Sequence, residues 1–343
     1  MIGALGILQF NLGQTTDVIL CGAIASCLIA LCFRPFSRLV VLVLVAIFTL
    51  TILEDQLRLQ PWLYLYLIIL LAVSISGKNR QEHALVLLRF ILAGTYFWSG
   101  LQKLNHSFAT DVFPWLMHPF GLQNFVMEHH RLAYSIPLLE LCAGVGLLFQ
   151  RAQRTSGLIL VIIHGIIICA LGPWANNWNS VIWPWNIAMV VILLVVIFSE
   201  YKGFSSLRSA VSGKWAVVAI LLTCIMPAFN FIGYWDNYLS DSLYSGTVPE
   251  GIFYYPKDNG PVPENLKPQA RDDGYYYVLD DWALRELHAP IYPEERYFKR
   301  VAKQLCKGQK DKTIAGLLIV RKQKFTATVQ QEVCNCDSLL KTP

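Results

Sequence analysis

Eight apolar stretches, at 17–33, 39–54, 62–76, 83–104, 132–150, 155–172, 180–198 and 214–233, follow one another along the first two thirds of the chain. Most approach the roughly twenty residues that carry a helix across a hydrocarbon core of about 30 Å. The pattern predicts an α-helical polytopic membrane protein with about eight transmembrane helices over residues 1–233. It changes after Trp235. The stretch 244–274, "YSGTVPEGIFYYPKDNGPVPENLKPQARDDG", is rich in Pro, Gly and charge and reads as an extended connection laid over a surface. "YYYVLDD" at 275–281 predicts a strand, "EERYFKRVAKQLC" at 294–306 an amphipathic helix, and "TIAGLLIVRKQKFTATV" at 313–329 one or two strands. Residues 234–343 are therefore expected to form a small α+β extracytoplasmic domain, long enough for a modest core.

Composition agrees. Of 343 residues, 55% are hydrophobic and only 15% charged, where a soluble domain carries roughly 25% charge, so a plain soluble globule is excluded. Fifteen basic and fifteen acidic residues lie from Tyr234 onward, so the net charge of +5 belongs to the membrane part, with thirteen basic against eight acidic. A balance of this kind reports topology and gives no reason to expect nucleic acid. If the helices alternate in direction, one set of loops holds Arg34, Arg38, Lys78, Arg80, Arg151, Arg154, Lys202, Arg208 and Lys214, and the other only Arg58, Lys103 and Arg131. The tendency of Lys and Arg to stay cytoplasmic then places both termini and the loop 105–131 outside, and a bacterial inner membrane is the expected location. Met1 to Leu12 carries no basic residue, unlike a cleaved signal, so the first span is expected to stay.

Ionisable residues inside apolar helices are costly, roughly 2.5–3.5 kcal/mol each near the bilayer centre on insertion scales, and each asks for a partner or a cavity. Lys103 ends the fourth apolar stretch after the aromatic and small-residue run "YFWSG", Arg89 lies nearer its other end, Glu140 sits in the fifth and His164 in the sixth. Lys103 reads either as an anchor reaching the outer interface or as a half-buried base, and Glu140 either as its ion-pair partner or as that of Arg89. The seventh stretch opens with "NNWNSVIWPWN", where Asn186 can hydrogen-bond between helices. Trp98, Trp183 and Trp185, with Asn186, are candidates for the wall of a flat aromatic ligand such as a quinone, although Trp174, Trp178 and their neighbours equally suit an interfacial belt. The loop 105–131 holds Phe113, Trp115, Leu116 and Met117, which suggests a re-entrant or interfacial segment. Glu128, His118, His129 and His130 lack a convincing ligand pattern, and no metal is expected. Six cysteines fall in apolar stretches and read as packing residues. Cys306, Cys334 and Cys336 fall outside, where one disulfide from Cys306 to Cys334 or Cys336 is expected, Cys334 being the first candidate.

"YFWSGLQKLNHSF", with "ELCAGVGLLF" and "HGIIICALGPWANNWNSVIWPWN", resembles the membrane domain of the vitamin K-dependent γ-glutamyl carboxylase-like (HTTM) superfamily, which also takes in the DoxX-like quinone-linked proteins. The resemblance covers roughly 83–200, with a weaker echo at "DNYLSDSLYSG", 236–246. It implies that Lys103, in a Gly-x-x-Lys-Leu context, is an active base, and that His164 falls where the family places a membrane histidine. The short outer domain can hardly supply a carboxylase's large lumenal region, and Gln102 stands where the animal enzyme has a second lysine. The expectation is therefore a quinone-linked redox or base-catalysed enzyme, its site near the outer face and formed by Lys103, Glu140 and His164. The alternative is a non-catalytic scaffold presenting the outer domain to other membrane or periplasmic proteins. Membrane lipid and a quinone are the small-molecule partners this reading implies.

Overall fold

The computed structural model describes residues 14–35, 37–75, 80–199, 214–257, 259, 269–270 and 274–341. Lys78, Lys202 and Arg208, part of the expected cytoplasmic set, and the N-terminal residues read for a signal lie outside them. The apolar stretches form helices α1 (Gln14–Phe33), α2 (Arg38–Glu54), α3 (Pro61–Ile75), α4 (Arg80–Lys103), α7 (Ser135–Gly146), α8 (Gln153–Leu171) and α9 (Ile182–Phe198). Between α4 and α7, the loop folds into α5 (Phe113–Met117), α6 (Gln123–Glu128) and intervening single turns. Phe108, Ala109, Phe113, Val126 and Ala133 give these turns a small core of their own.

Among the described residues, four helical segments are long and apolar enough to cross a membrane: Thr15–Phe33, Glu82–Lys103, Gln153–Leu171 and Trp215–Ile232. The other apolar helices are shorter, and α7 has only twelve residues, about 18 Å at 1.5 Å per residue. The last of the four starts as α10 (Lys214–Ile220), widens into a π turn at Leu221–Ile225 and tightens into 3₁₀ turns at Met226–Ile232. Pro227 explains the break, because its ring lacks an N–H and clashes with the preceding turn. A carbonyl in this irregular stretch still finds a donor inside the bundle: Trp98 Nε1 gives its hydrogen to Cys224 O at 3.0 Å.

Helix α4 is the centre of the bundle, packed on α3, α7 and the last segment. Its contact with α7 depends on glycine. A Cβ on Gly100 would lie 2.5 Å from Pro137 O, and one on Gly144 would lie 2.8 Å from Phe97 N. Small residues let two backbones approach closely, the usual basis of helix association where lipid removes the hydrophobic drive between helices.

The outer domain is a five-stranded antiparallel sheet in the order β2-β3-β1-β4-β5, with β1 (Glu250–Pro256), β2 (Gln269–Ala270), β3 (Gly274–Val278), β4 (Gly316–Lys322) and β5 (Val329–Asn335). Strand β1 lies within the stretch expected to be an extended connection: Phe253 and Tyr255 alternate inward between β3 and β4, a period masked in sequence by Gly251 and Pro256. The strand expected over 275–281 stops at Val278, where α11 (Leu279–Leu287) begins with Asp280 and Asp281 in its first turn, as the helix dipole favours. The expected helix is α12 (Glu295–Lys307). It buries Phe298, Val301, Ala302 and Cys306 against the sheet.

The disulfide joins Cys306 to Cys336, with Cα atoms 5.3 Å apart, and Cys334 is free. This corrects Cys334 as first candidate. Cys334 lies within β5, paired across the ladder with Leu317, whereas Cys336 opens α13 (Cys336–Lys341), a helix packed against α12.

Several connections meet this domain or its linker at one end of the bundle. Gln60 Nε2 donates to Pro290 O at 3.2 Å, Tyr297 to Asp55 at 3.3 Å, Asn105 to Ser245 O at 2.8 Å, and Lys322 pairs with Asp111 at 3.1 Å. Asp17, at the start of α1, pairs with Arg58 at 2.9 Å. The start of α1, the α2–α3 and α4–α7 connections and the C-terminal domain therefore share one end.

Candidate functional site

Tyr96, Ser99 and Lys103 are spaced i, i+3, i+7 along α4, so one helix face carries all three. The close Gly100 and Gly144 contacts bring Glu140 of α7 beside this face. Lys103 Nζ lies 3.0 Å from Glu140 Oε2 and 3.3 Å from Oε1, and also donates to Ser99 Oγ and Ser99 O. The lysine side chain is 13% exposed and the carboxylate 9%. The sequence left the partner of Glu140 open, and the geometry assigns it to Lys103. Arg89 instead donates to Val196 O at 2.6 Å and to Ser199 Oγ at 2.8 Å, near the other end of α9.

Deeper in the bundle, a second polar chain crosses three helices. Asn186 Nδ2 donates to Ile182 O at 2.8 Å, which fixes the amide and turns its oxygen toward His164 Nδ1, 2.6 Å away. An amide oxygen only accepts, so Nδ1 carries the hydrogen. Nε2 then presents a lone pair, and the Tyr96 hydroxyl donates to it at 2.7 Å. The histidine is thereby held as one neutral tautomer with both ring nitrogens engaged.

Asp241, in the linker after the last apolar segment, adds a carboxyl that the sequence reading did not single out. Its backbone is left-handed, with φ of 56°, a conformation Asp tolerates better than most residues. Burial pushes its pKa well above the ordinary carboxylate range, with Lys103 pulling it down and Glu140 pushing it up. Its only sequence signal is its place in "DNYLSDSLYSG".

The tryptophans separate. Trp98 and Trp183 spend their indole N–H groups on Cys224 O and Leu171 O. Trp185 packs against the bundle core beside Asn186, and its Nε1 is buried without a hydrogen-bond partner. The expected quinone wall thus keeps one free buried donor, at Trp185. Gln102 bonds to Asn230, and Lys324, from the turn between β4 and β5, donates to both amide oxygens and lies over the Phe231 ring at 4.5 Å. Burial pushes this amine down to about 8. Among the described residues, no group of three or more His, Cys, Asp or Glu is placed to hold a metal ion.

Residues 84–172 match the DoxX family. This DoxX-like segment runs from α4 to α8 and contains Tyr96, Lys103, Glu140 and His164, while Asn186, Asp241 and the outer domain lie beyond it. Its apolar helices and this match make the chain a membrane protein. The carboxylase side of the resemblance finds no support, and the DoxX side is matched over residues 84–172. No curated protein and no solved structure matches the chain.

Proposed function

We propose that this protein is an eight-span membrane enzyme with both termini outside the cytoplasm, and that it moves protons for a quinone-linked redox reaction near its outer face. The observation that supports the reading is the Tyr96–His164–Asn186 chain, set in the same DoxX-like segment as the Lys103–Glu140 pair. Both nitrogens of the buried histidine are bonded, so its tautomer is fixed and the Tyr96 hydroxyl faces the Nε2 lone pair. Topology rests on the bias of basic residues between alternate loops and on the clustering of the lightly charged connections against the outer domain.

The quinone fits the residues present, because Trp185 Nε1 is a buried donor seeking an acceptor and Asn186 adjoins it in sequence. A bound quinone supplies a carrier for two electrons and two protons. Trp185 would donate to a carbonyl oxygen and orient it. Tyr96 and His164 would hold the exchangeable proton, and Lys103, paired with Glu140, would keep its charge and fix the α4–α7 contact. Lys103 thus serves here as a charge partner and His164 as the base.

The test is to purify the protein in maltoside micelles, analyse the organic extract for quinone, and follow reduction of decylubiquinone by dithiol donors. Copurified quinone that is lost in Trp185→Phe, with at least a tenfold fall in rate for His164→Ala and Tyr96→Phe in folded protein, is the expected result. Absence of quinone together with stable copurifying subunits would favour the scaffold.

A further inference from the structure

The turn between β4 and β5 reaches the end of the bundle that the C-terminal domain shares. Lys324 Nζ donates to Gln102 Oε1 at 2.5 Å and to Asn230 Oδ1, and lies 4.5 Å from the centroid of the Phe231 ring. Beside it, the Phe325 ring stacks on Phe231 with centroids 5.8 Å apart. Gln102 stands next to the last residue of the apolar segment Glu82–Lys103, and Asn230 and Phe231 fall at the end of Trp215–Ile232. Both segments are long and apolar enough to cross a membrane. At about 1.5 Å per residue, the positions that the turn touches lie within about 5 Å of the segment ends. The turn is thus held at the depth where two spans leave the hydrocarbon.

Side-chain exposure shows which way the turn faces. Along Trp215–Ile232, Val218, Leu221, Ile225, Phe229 and Ile232 are exposed and recur every three or four residues, the spacing of one helix face. A face of this kind on a spanning segment meets lipid. Phe325 carries the same apolar surface past the end of the helix: it is 80% exposed although its ring stacks on Phe231, and Tyr234 close by in sequence is 78% exposed. The turn meanwhile bonds polar groups of its own. Gln323 N–H donates to Thr328 O at 3.0 Å, Thr328 N–H to Thr326 Oγ1 at 3.4 Å, and the Thr326 hydroxyl to Thr328 Oγ1 at 3.0 Å. Polar groups already bonded within a segment lower the cost of taking it out of water.

We propose that the β4–β5 turn docks into the membrane interface, with Phe325 seated among the lipid chains of the leaflet beside the C-terminal domain. The occupant is lipid because the exposed surface of the turn continues the exposed face of a spanning segment and lies at its end. Amphipathic aromatic residues such as Tyr234 are enriched in this zone, where acyl chains give way to headgroups. The C-terminal domain is then tied to the bundle through Lys324 and to the bilayer through Phe325, which sets its height above the membrane. The inference rests on the membrane reading of Trp215–Ile232, and neither on the quinone chemistry nor on which side the termini lie.

The experiment places the photoreactive residue p-benzoyl-phenylalanine singly at Phe325, Ile232 or Val333 of the full chain. Each protein is irradiated in vesicles of phosphatidylethanolamine and phosphatidylglycerol, and the adducts are identified by mass spectrometry. Ile232 is the lipid-facing reference. Val333 is 76% exposed but lies along β5 from Thr328 by about 17 Å at roughly 3.3 Å per residue. The proposal expects phospholipid adducts at Phe325 within threefold of the Ile232 yield and at least fivefold above the Val333 yield, in proteins with unchanged melting curves. Adducts at Phe325 to a second copy of the chain or to another protein in place of lipid, equal yields at Phe325 and Val333, or lipid adducts at Ile232 with none at Phe325 would overturn it. Lipid adducts at neither Phe325 nor Ile232 would overturn it together with the lipid-facing assignment of the span, whereas a negative quinone assay does not bear on it.

Discussion

At the scale of single residues, the contrast between Lys103 and Asp280 shows how environment sets the behaviour of a charge. Lys103 donates to both oxygens of Glu140, a pairing that a guanidinium can also make. Lys103→Arg should keep the fold and the proton-linked activity. Lys103→Met should destabilise the protein by about 3–5 kcal/mol, because it strands a buried carboxylate. Thermal melts in detergent and the quinone-reduction assay check both, and an inactive but normally folded Lys103→Arg protein would return the lysine to the role of base. Asp280 has no such partner among the described residues, and burial pushes its pKa up to about 6. A carboxyl whose folded pKa is raised costs no stability below its unfolded pKa near 3.9, and the full cost appears above the folded value. Asp280→Asn, whose oxygen can still accept from the Ile291 N–H, should therefore stabilise the protein at pH 7.5 by up to about 3 kcal/mol and bring little gain at pH 4. Equal gains at both pH values would contradict the assignment of this cost to ionisation.

Among elements, the α4–α7 contact decides where the site residues go. Glu140 reaches Lys103 because Gly100 and Gly144 let the two backbones close, and added methyl groups would meet backbone atoms at 2.5 and 2.8 Å. Those atoms cannot swing aside as a flexible side chain could. Gly100→Ala and Gly144→Ala should each destabilise the bundle by about 1–3 kcal/mol or more through overpacking. Gly165, whose added methyl would meet nothing within 4 Å, provides the comparison: Gly165→Ala should be neutral or better, since alanine favours a helix by up to about 1 kcal/mol. Unfolding midpoints of the three variants measure this directly, and similar losses in all three would show that helix contact is not the cause.

For the whole molecule, the disulfide and the free thiol report compartment and fold together. Cys306 and Cys336 are fully buried and bonded, while Cys334 is partly exposed with its thiol pKa raised by burial and by the nearby Glu332 carboxylate. A membrane-impermeant maleimide applied to intact spheroplasts should label Cys334 slowly near pH 7 and faster toward pH 9. It should reach Cys306 and Cys336 only after reduction. Failure to label Cys334 until the membrane is opened would place this domain on the cytoplasmic side and refute the proposed topology.

The sequence by itself determined what local pattern can determine. Apolar runs separated the helical part from the mixed outer domain, and the spacing of Phe298, Val301, Ala302 and Cys306 foretold α12, because burial on one face writes a period into the chain. Costly ionisable residues in apolar surroundings marked Lys103, Glu140 and His164 before any contact was known. Strand β1 was hidden by the Gly251 and Pro256 it contains, and the choice of Cys336 over Cys334 depended on how α13 docks on α12. Only the tertiary structure decided partners. Tyr96 looked like one aromatic residue among many, Asp241 like a linker carboxylate, and Phe231 and Phe325 like unrelated rings until the chain folded. Pairing depends on distances between segments far apart in sequence, and those distances are set by packing, such as the glycine contact of α4 with α7, which leaves no periodic trace along the chain.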